Sequence, residues 1–352
     1  MYKSTMNVRN NGYIHFRTDE YGDIVKTTLA RLSELIGNHR KFGTIYLASS
    51  GTAVMEATIE NCISDLDKCL VINGGGFGRR FCELLKYHQK NYTSVDIKWN
   101  EKLTEEHLKP YEDKGYTALF VNIHETTSGQ LYDKKMLSDF CKRNGMYFIV
   151  DAMSSFMADE YDMDKYGIDV TLITSQKGLC CSPGMAVVSL SERMIEKIYS
   201  EKNRVTSKYF DYKDYLDNID RGQTPYTPPV FMIYEVRDVL NLIEEKGGLD
   251  AWLNDIKHKG EFFRKRAEAI DLKLPDYPVS NMLTPVIFDD ISAYDVIQVL
   301  KNEYSIYVNP CGGELASKLV RISHIGDTTT TDIEDLMEKL VLSINQVRKQ
   351  IR

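Results

Sequence analysis

Seven short apolar runs, most of them followed by a stretch with helical spacing, constrain this chain more than any other feature. They read "TIYLA" (44–48), "KCLVIN" (68–73), "SVDIKW" (94–99), "TALFVNI" (117–123), "MYFIVD" (146–151), "DVTLIT" (169–174) and "MAVVSL" (185–190). The spacing predicts helices over about 52–66, 77–88, 103–110, 133–144 and 191–201, after a first helix from Asp19 that closes on a C-cap at Gly37. Strands apolar on both faces that alternate with helices imply an α/β fold, a mostly parallel sheet covered by helices. Ligands of such sheets bind at the carboxyl ends of the strands. A polar stretch from about 207 to 229 reads as irregular and interrupts the alternation. Helical patterns at 229–246 and 249–270 follow, then strands near 283–288, 304–309 and 319–323 and a last helix from Thr330. That second part reads as a smaller α+β domain. A boundary at Gly247-Gly248 gives a large domain 1–247, with segment 1–20 included, and a small C-terminal domain 248–352.

Bulk properties narrow the function. The 352 residues suffice for two domains, and 43% hydrophobic with 27% charged residues is ordinary globular composition. A formal net charge of -7 argues against nucleic acid or an anionic membrane as the main partner, so an anionic substrate must be captured by a local cluster. Seven cysteines without metal-ligand spacing read as reduced thiols, and no metal site is expected. The opening "MYKSTMNVRNNGYIHF" lacks an apolar run of signal-peptide length, and no apolar stretch is long enough to span a membrane. The expectation is a soluble, cytoplasmic protein.

Candidate chemistry gathers at the predicted strand ends. Ser50-Gly51-Thr52 follows a strand and opens a helix, where hydroxyls and unpaired N–H groups make a phosphate site. A plain helix cap is the alternative. In "INGGGFGRRF" the glycines permit a tight turn and Phe77 either offers a flat face to an aromatic ring or is ordinary core; the spacing is a poor dinucleotide fingerprint. Asp151 ends a very apolar strand, where a carboxylate is costly unless paired, either as a helix cap or as the partner of a protonated ring nitrogen. Lys177 sits in the turn "TSQKGLCC" among small and apolar residues, and reads either as an ordinary exposed loop lysine or, if partly desolvated, as an amine nucleophile of lowered pKa. Pyridoxal phosphate needs a lysine for covalent attachment, an acid for its ring nitrogen, a phosphate cradle and a stacking partner. All four are present in this sequence.

On these residues the chain resembles the fold-type I, class V pyridoxal-phosphate-dependent aminotransferases, most closely those that act on 2-aminoethylphosphonate and pyruvate. The matching segments are S-G-T at 50–52, N-G-x-x-F-G-x-R at 73–80, E-T-T-x-G at 125–129, D-A-M-S-S-F at 151–156, T-S-Q-K at 174–177, T-P-P at 227–229 and R-I-S-H-I-G at 321–326. They run through nearly the whole chain. The resemblance implies that Lys177 carries the cofactor and shuttles a proton, and that Asp151 holds the ring nitrogen protonated. It implies that Ser50, Gly51, Thr52 and Gln176 lie at the phosphate, Phe77 on the ring and Thr126 at the ring hydroxyl. Thr227 would be lent to the phosphate of the neighbouring subunit, which implies a homodimer with shared sites. Arg321 would grip the substrate carboxylate, which suits a planar guanidinium making two parallel hydrogen bonds.

The resemblance also implies a proline- and glycine-rich opening segment, which the polar N-terminus does not match, and a glycine where Ser323 stands. Arg17, Arg80 and His15 are candidates for a second anion-binding group. The reaction expected is transfer of an amino group from 2-aminoethylphosphonate, or a similar small amine, to pyruvate, giving phosphonoacetaldehyde and alanine. The alternatives are an alanine- or serine-glyoxylate-type aminotransferase and a lyase of the cysteine desulfurase type. A desulfurase needs an accessible, mobile thiolate, and Cys311 in "NPCGGEL" reads as structural instead. A non-catalytic protein on this scaffold would be expected to lack Lys177 or Asp151, and both are present.

Overall fold

The computed structural model describes residues 1–40, 43–200 and 205–351. Its main sheet is built from β1 (Thr44–Leu47), β2 (Lys68–Asn73), β3 (Asn91–Asp96), β4 (Ala118–Asn122), β7 (Tyr147–Asp151), β8 (Val170–Thr174) and β9 (Ala186–Leu190). The order across the sheet is β1-β9-β8-β7-β4-β2-β3. Only β9 runs against its neighbours; the pairs β8–β7, β7–β4, β4–β2 and β2–β3 are all parallel. The central strands β4, β8 and β9 are buried at every residue and β7 at every residue after Tyr147, the pattern of a sheet covered on both faces. A short hairpin of β5 (His124–Glu125) and β6 (Gln130–Leu131) leaves the end of β4.

Local signals set the helices. Thr18 accepts the Tyr21 N–H and Asp19 and Glu20 occupy the first turn, so the helix Asp19–Ile36 starts where the sequence indicates. It stops at Gly37, whose φ of 74° is the left-handed C-cap that glycine takes without strain. The N-terminal helix Lys3–Asn7 lies against Val230–Glu245, tied by Thr5 Oγ1 to Asp238 (2.8 Å) and Arg9 Nε to Glu235 (3.1 Å). The Tyr2 hydroxyl donates to the Gly326 carbonyl (3.2 Å), which closes the R-I-S-H-I-G segment.

Beyond the main sheet, β10 (Leu283–Ile287), β12 (Leu319–Ser323) and β11 (Asn309–Pro310) form an antiparallel sheet in that order. Phe263, Val286, Val320, Ile333 and Leu340 belong to its apolar cluster, separate from the cluster under the main sheet. The helix Leu249–Glu268 serves both, with Trp252 and Ile256 in the first cluster and Phe263 and Ala267 in the second.

Three expectations need correction. The strand expected at 94–99 runs from Asn91 to Asp96, because β3 pairs residue for residue with β2 from Lys68↔Asn91 onward. The strand expected at 304–309 is replaced by the end of the helix Ala293–Tyr304, capped by Ser305 at φ 56°, and only Asn309–Pro310 joins the sheet. The stretch read as irregular contains the helix Tyr212–Ile219, which buries Tyr212, Tyr215 and Ile219 at helical spacing. The helix expected over 191–201 covers Glu192–Ser200, and residue 201 lies outside the described residues. No described helix is long and apolar enough to cross a membrane.

Candidate active site

Parallel strands deliver their following turns to one edge, and several of the residues singled out in the sequence arrive there. A cavity of about 1010 Å³ opens on that edge, lined by Gly75, Phe77, Thr126, Gln176, Lys177 and Arg321 among others. Asp151 closes β7 beside it, while Ser50, Gly51 and Thr52 begin the helix Gly51–Cys62 after β1.

Asp151 is 5% exposed, and among the described residues its carboxylate has one hydrogen-bond partner, the Met153 N–H at 2.9 Å. Burial pushes its pKa up to about 7, with the nearby Glu125 charge adding to the rise and the Met153 N–H opposing it. Among the described residues this carboxylate has no direct ion pair, although the Lys177 and Arg80 charges act on it from a distance. Lys177 supplies no direct bond: its ammonium has no hydrogen-bond or ion-pair partner among the described residues. Burial, and then the Arg321 charge, lower its pKa, against the pull of Asp151.

The apolar residues after Lys177 have a packing reason. A Cβ on Gly178 would stand 1.9 Å from the Phe156 carbonyl oxygen, so the lysine turn nests on the D-A-M-S-S-F segment only with glycine there. Leu179, Cys180 and Cys181 are buried behind it. The Cys180 N–H donates to the Lys177 carbonyl (2.8 Å) and the Cys181 N–H to the Ser175 carbonyl (2.9 Å).

Ser50 caps its helix by accepting the Ala53 N–H (3.3 Å). Thr52 Oγ1 accepts from Arg80 Nη1 (3.0 Å), and the Arg80 guanidinium lies 5.0 Å from the centre of the Phe77 ring. Of the second-anion candidates, Arg80 thus joins the S-G-T turn and lines the cavity. Arg17 instead binds Gln223 and the Thr224 carbonyl, and the exposed His15 ring accepts the Arg17 N–H. Neither lines the cavity. Thr227 is exposed and also lies outside the cavity lining. Ser323 lines it.

Arg321 stands on β12 with its head already oriented. Nη1 donates to the Thr126 carbonyl at 2.7 Å and Nη2 to the Pro310 carbonyl, while the buried Nε has no partner among the described residues. A guanidinium braced by two carbonyls, with an unpaired edge, suits a carboxylate. Cys311 is 6% exposed, burial raises its thiol pKa, and its Sγ donates to the Thr127 carbonyl (3.3 Å), none of which fits an accessible thiolate.

Two residues carry more than the sequence reading gave them. Glu125, quoted only within E-T-T-x-G, is fully buried and accepts four hydrogen bonds, two of them from the start of the helix Gly76–Tyr87. His124 is 1% exposed; Nδ1 lies 2.6 Å from the Ser154 carbonyl and Nε2 has no partner. Burial depresses its pKa to about 4, so the ring is neutral at pH 7. A polar His-Glu pair directly after an apolar strand was the available signal for both.

A parallel-rich seven-stranded sheet with an unpartnered lysine, a cation-deficient buried aspartate and a helix N-terminus at one edge defines a fold-type I pyridoxal-phosphate enzyme. The chain belongs to the aminotransferase class-V family, whose profile matches residues 1–336. It is 29% identical over 335 residues to an uncharacterized aminotransferase of Methanocaldococcus jannaschii, covering 89% of this chain and 82% of that one. An L-aspartate–glyoxylate aminotransferase of Paracoccus denitrificans is 28% identical over 296 residues, covering 80% and 73%. The crystal structure of an alanine–glyoxylate aminotransferase from Nostoc sp. superimposes with a TM-score of 0.91 at 25% identity, covering 97% and 92%. The protein is therefore an aminotransferase, and pyridoxal phosphate is its cofactor. The residues present fit that group: among the described residues Asp151 and Lys177 have no ion-pair partner, and the Ser50 turn opens a helix, whose first N–H groups lack intrahelical acceptors.

Proposed function

We propose that this enzyme moves an amino group between a small amino acid of the alanine or serine kind and a small 2-oxo acid such as glyoxylate or pyruvate, both gripped by Arg321. The observation that carries this reading is the Arg321 head, braced by the Thr126 and Pro310 carbonyls with Nε buried and unpaired. Relatives named for aspartate–glyoxylate and alanine–glyoxylate transfer support the substrate class.

Bound pyridoxal phosphate supplies the electron sink that makes the proton beside the amino group removable. Lys177 holds the cofactor covalently and then takes and returns that proton, a task suited to an amine whose pKa burial has lowered. Asp151 keeps the ring nitrogen protonated. Phe77 offers its ring as a stacking face, and Thr126 serves the ring hydroxyl. The N–H groups and hydroxyls of Ser50, Gly51 and Thr52 bind the phosphate, with Gln176 and Arg80 beside them. Thr227, exposed and away from its own cavity, serves the phosphate of a second copy in a homodimer.

A second reading, with 2-aminoethylphosphonate as donor and pyruvate as acceptor, has its own support. Arg79, Arg80 and Lys98 line the cavity with Arg321, an excess of cations that suits a tetrahedral dianion. A half-reaction screen separates the two. Alanine, serine or 2-aminoethylphosphonate is added to the holoenzyme while the visible absorbance of the cofactor is followed, and glyoxylate or pyruvate is then added to restore it. Bleaching by alanine or serine with recovery on glyoxylate is the expected result. Bleaching by 2-aminoethylphosphonate alone establishes the second reading, and no bleaching by any of the three contradicts both.

A further inference from the structure

We propose that Glu125 is a positioning residue that fixes Phe77 and Arg321 in one mutual pose, so that a single buried carboxylate registers the cofactor face against the carboxylate grip. The proposal rests on the reading of Arg321 given above. Glu125 is fully buried, yet no cation pairs with it among the described residues. It is held by N–H donors instead. Oε2 accepts from the Phe77 N–H (3.3 Å), the Gly78 N–H (3.3 Å) and Asn122 Nδ2 (3.0 Å), and Oε1 accepts from the Thr127 N–H (3.0 Å). Two of those donors belong to the first turn of the helix Gly76–Tyr87, where the helix field also favours an anion.

The contact leaves no slack on the cofactor side. A Cβ on Gly75 would stand 2.6 Å from the Glu125 carboxyl carbon, so the glycine turn sits directly on the carboxylate. Thr127 Oγ1 adds a second latch by accepting the Gly76 N–H (3.1 Å). The backbone of the same turn faces the other way. The Thr126 carbonyl accepts from Arg321 Nη1 (2.7 Å), and the Thr127 carbonyl accepts from Cys311 Sγ (3.3 Å), beside the Pro310 carbonyl that holds Nη2. The Gly129 N–H closes the turn on the Glu125 carbonyl (2.7 Å), with Gly129 at φ 81°. Three residues, Glu125 to Thr127, therefore link the first turn of the helix that carries Phe77 to the segment that orients Arg321. Burying a carboxylate is costly unless its donors are supplied, and here four are supplied where a small apolar residue would pack more simply.

The test titrates apoenzyme with pyridoxal phosphate by visible circular dichroism, then titrates the holoenzyme with propionate, a carboxylate that cannot transaminate, by the same signal. Wild type, Glu125→Gln, Thr127→Val and Arg321→Ala are compared, with melting temperatures recorded. Gln offers one acceptor oxygen, and its amide NH₂ meets the donors on the other side. Glu125→Gln should weaken propionate by roughly tenfold, the scale of one lost buried hydrogen bond, and change the cofactor dichroism. Thr127→Val, which cuts only the Gly76 latch, should show the dichroism change in smaller degree, and it carries the test should the Gln variant not fold. A Glu125→Gln protein with wild-type dichroism and propionate affinity, whatever its melting temperature, overturns the proposal. Arg321→Ala tests the grip separately. If it leaves propionate binding unchanged, the reading of Arg321 fails, and with it the pairing of Phe77 to that grip.

Discussion

At the scale of single residues, the site is a set of groups kept away from their preferred partners. Among the described residues the Asp151 carboxylate has one N–H donor and the Lys177 ammonium no acceptor, although both are mostly buried. The cost should be visible in the cofactor-free protein. Asp151 has its folded pKa raised from 3.8 to about 7, so the native state binds its proton more tightly than the unfolded chain does. The stability this contributes is complete below about pH 4 and lost as pH rises towards 7. Apo Asp151→Asn should therefore show a flatter fall in melting temperature over that window than apo wild type. His124 and His324, whose pKa values burial lowers to about 4 and about 3, act in the opposite sense in both proteins, so the difference isolates Asp151. Parallel curves for the two proteins would mean that Asp151 is solvated and cannot serve a ring nitrogen. In the holoenzyme, Asp151→Asn should bind cofactor more weakly and lose most of its turnover, because an amide cannot hold the ring nitrogen protonated.

At the scale of elements, close approach of helices to strand ends decides where the chemistry sits. A Cβ on Gly78 would come within 2.5 Å of the Ile72 carbonyl oxygen and 2.7 Å of Asn73 Cα, so the helix Gly76–Tyr87 rests on the end of β2 only because of that glycine. Gly78→Ala should cost about 1–3 kcal/mol by overpacking and weaken cofactor binding by displacing Phe77. Unchanged melting with unchanged cofactor affinity would contradict that packing. The same elements show what the sequence made legible. Asp151, Lys177 and the Ser50 turn could be read because a polar residue at the end of an apolar run is expensive, and the periodicity located the runs. Glu125 was quoted but given no role, since two of its four donors come from Phe77 and Gly78, 48 and 47 residues earlier, and no local pattern encodes such a contact. The helix Tyr212–Ile219 was missed although Tyr212, Tyr215 and Ile219 carry the period, because polar residues and tyrosines there looked like a loop. The strand expected at 304–309 failed for a tertiary reason: the helix before it runs on to Tyr304, and Ser305 turns it off.

At the scale of the whole molecule, the proposed exchange of Thr227 between subunits has a direct consequence. In a dimer of Lys177→Ala and Thr227→Ala chains, one site carries both lesions and the other neither. Mixing two impaired variants should thus restore activity, and verified heterodimers with none would place Thr227 in its own subunit's site or away from any site. The main sheet converges on Lys177: the parallel strands aim their turns at it, Gly178 seats it against Phe156, and Asp151 and Arg321 set its charge environment. Borohydride reduction of the holoenzyme followed by peptide mass spectrometry tests that convergence most directly. The account predicts the reduced pyridoxyl label on the peptide containing Lys177, and no label in Lys177→Ala. A label on a different lysine in the wild-type protein would contradict it.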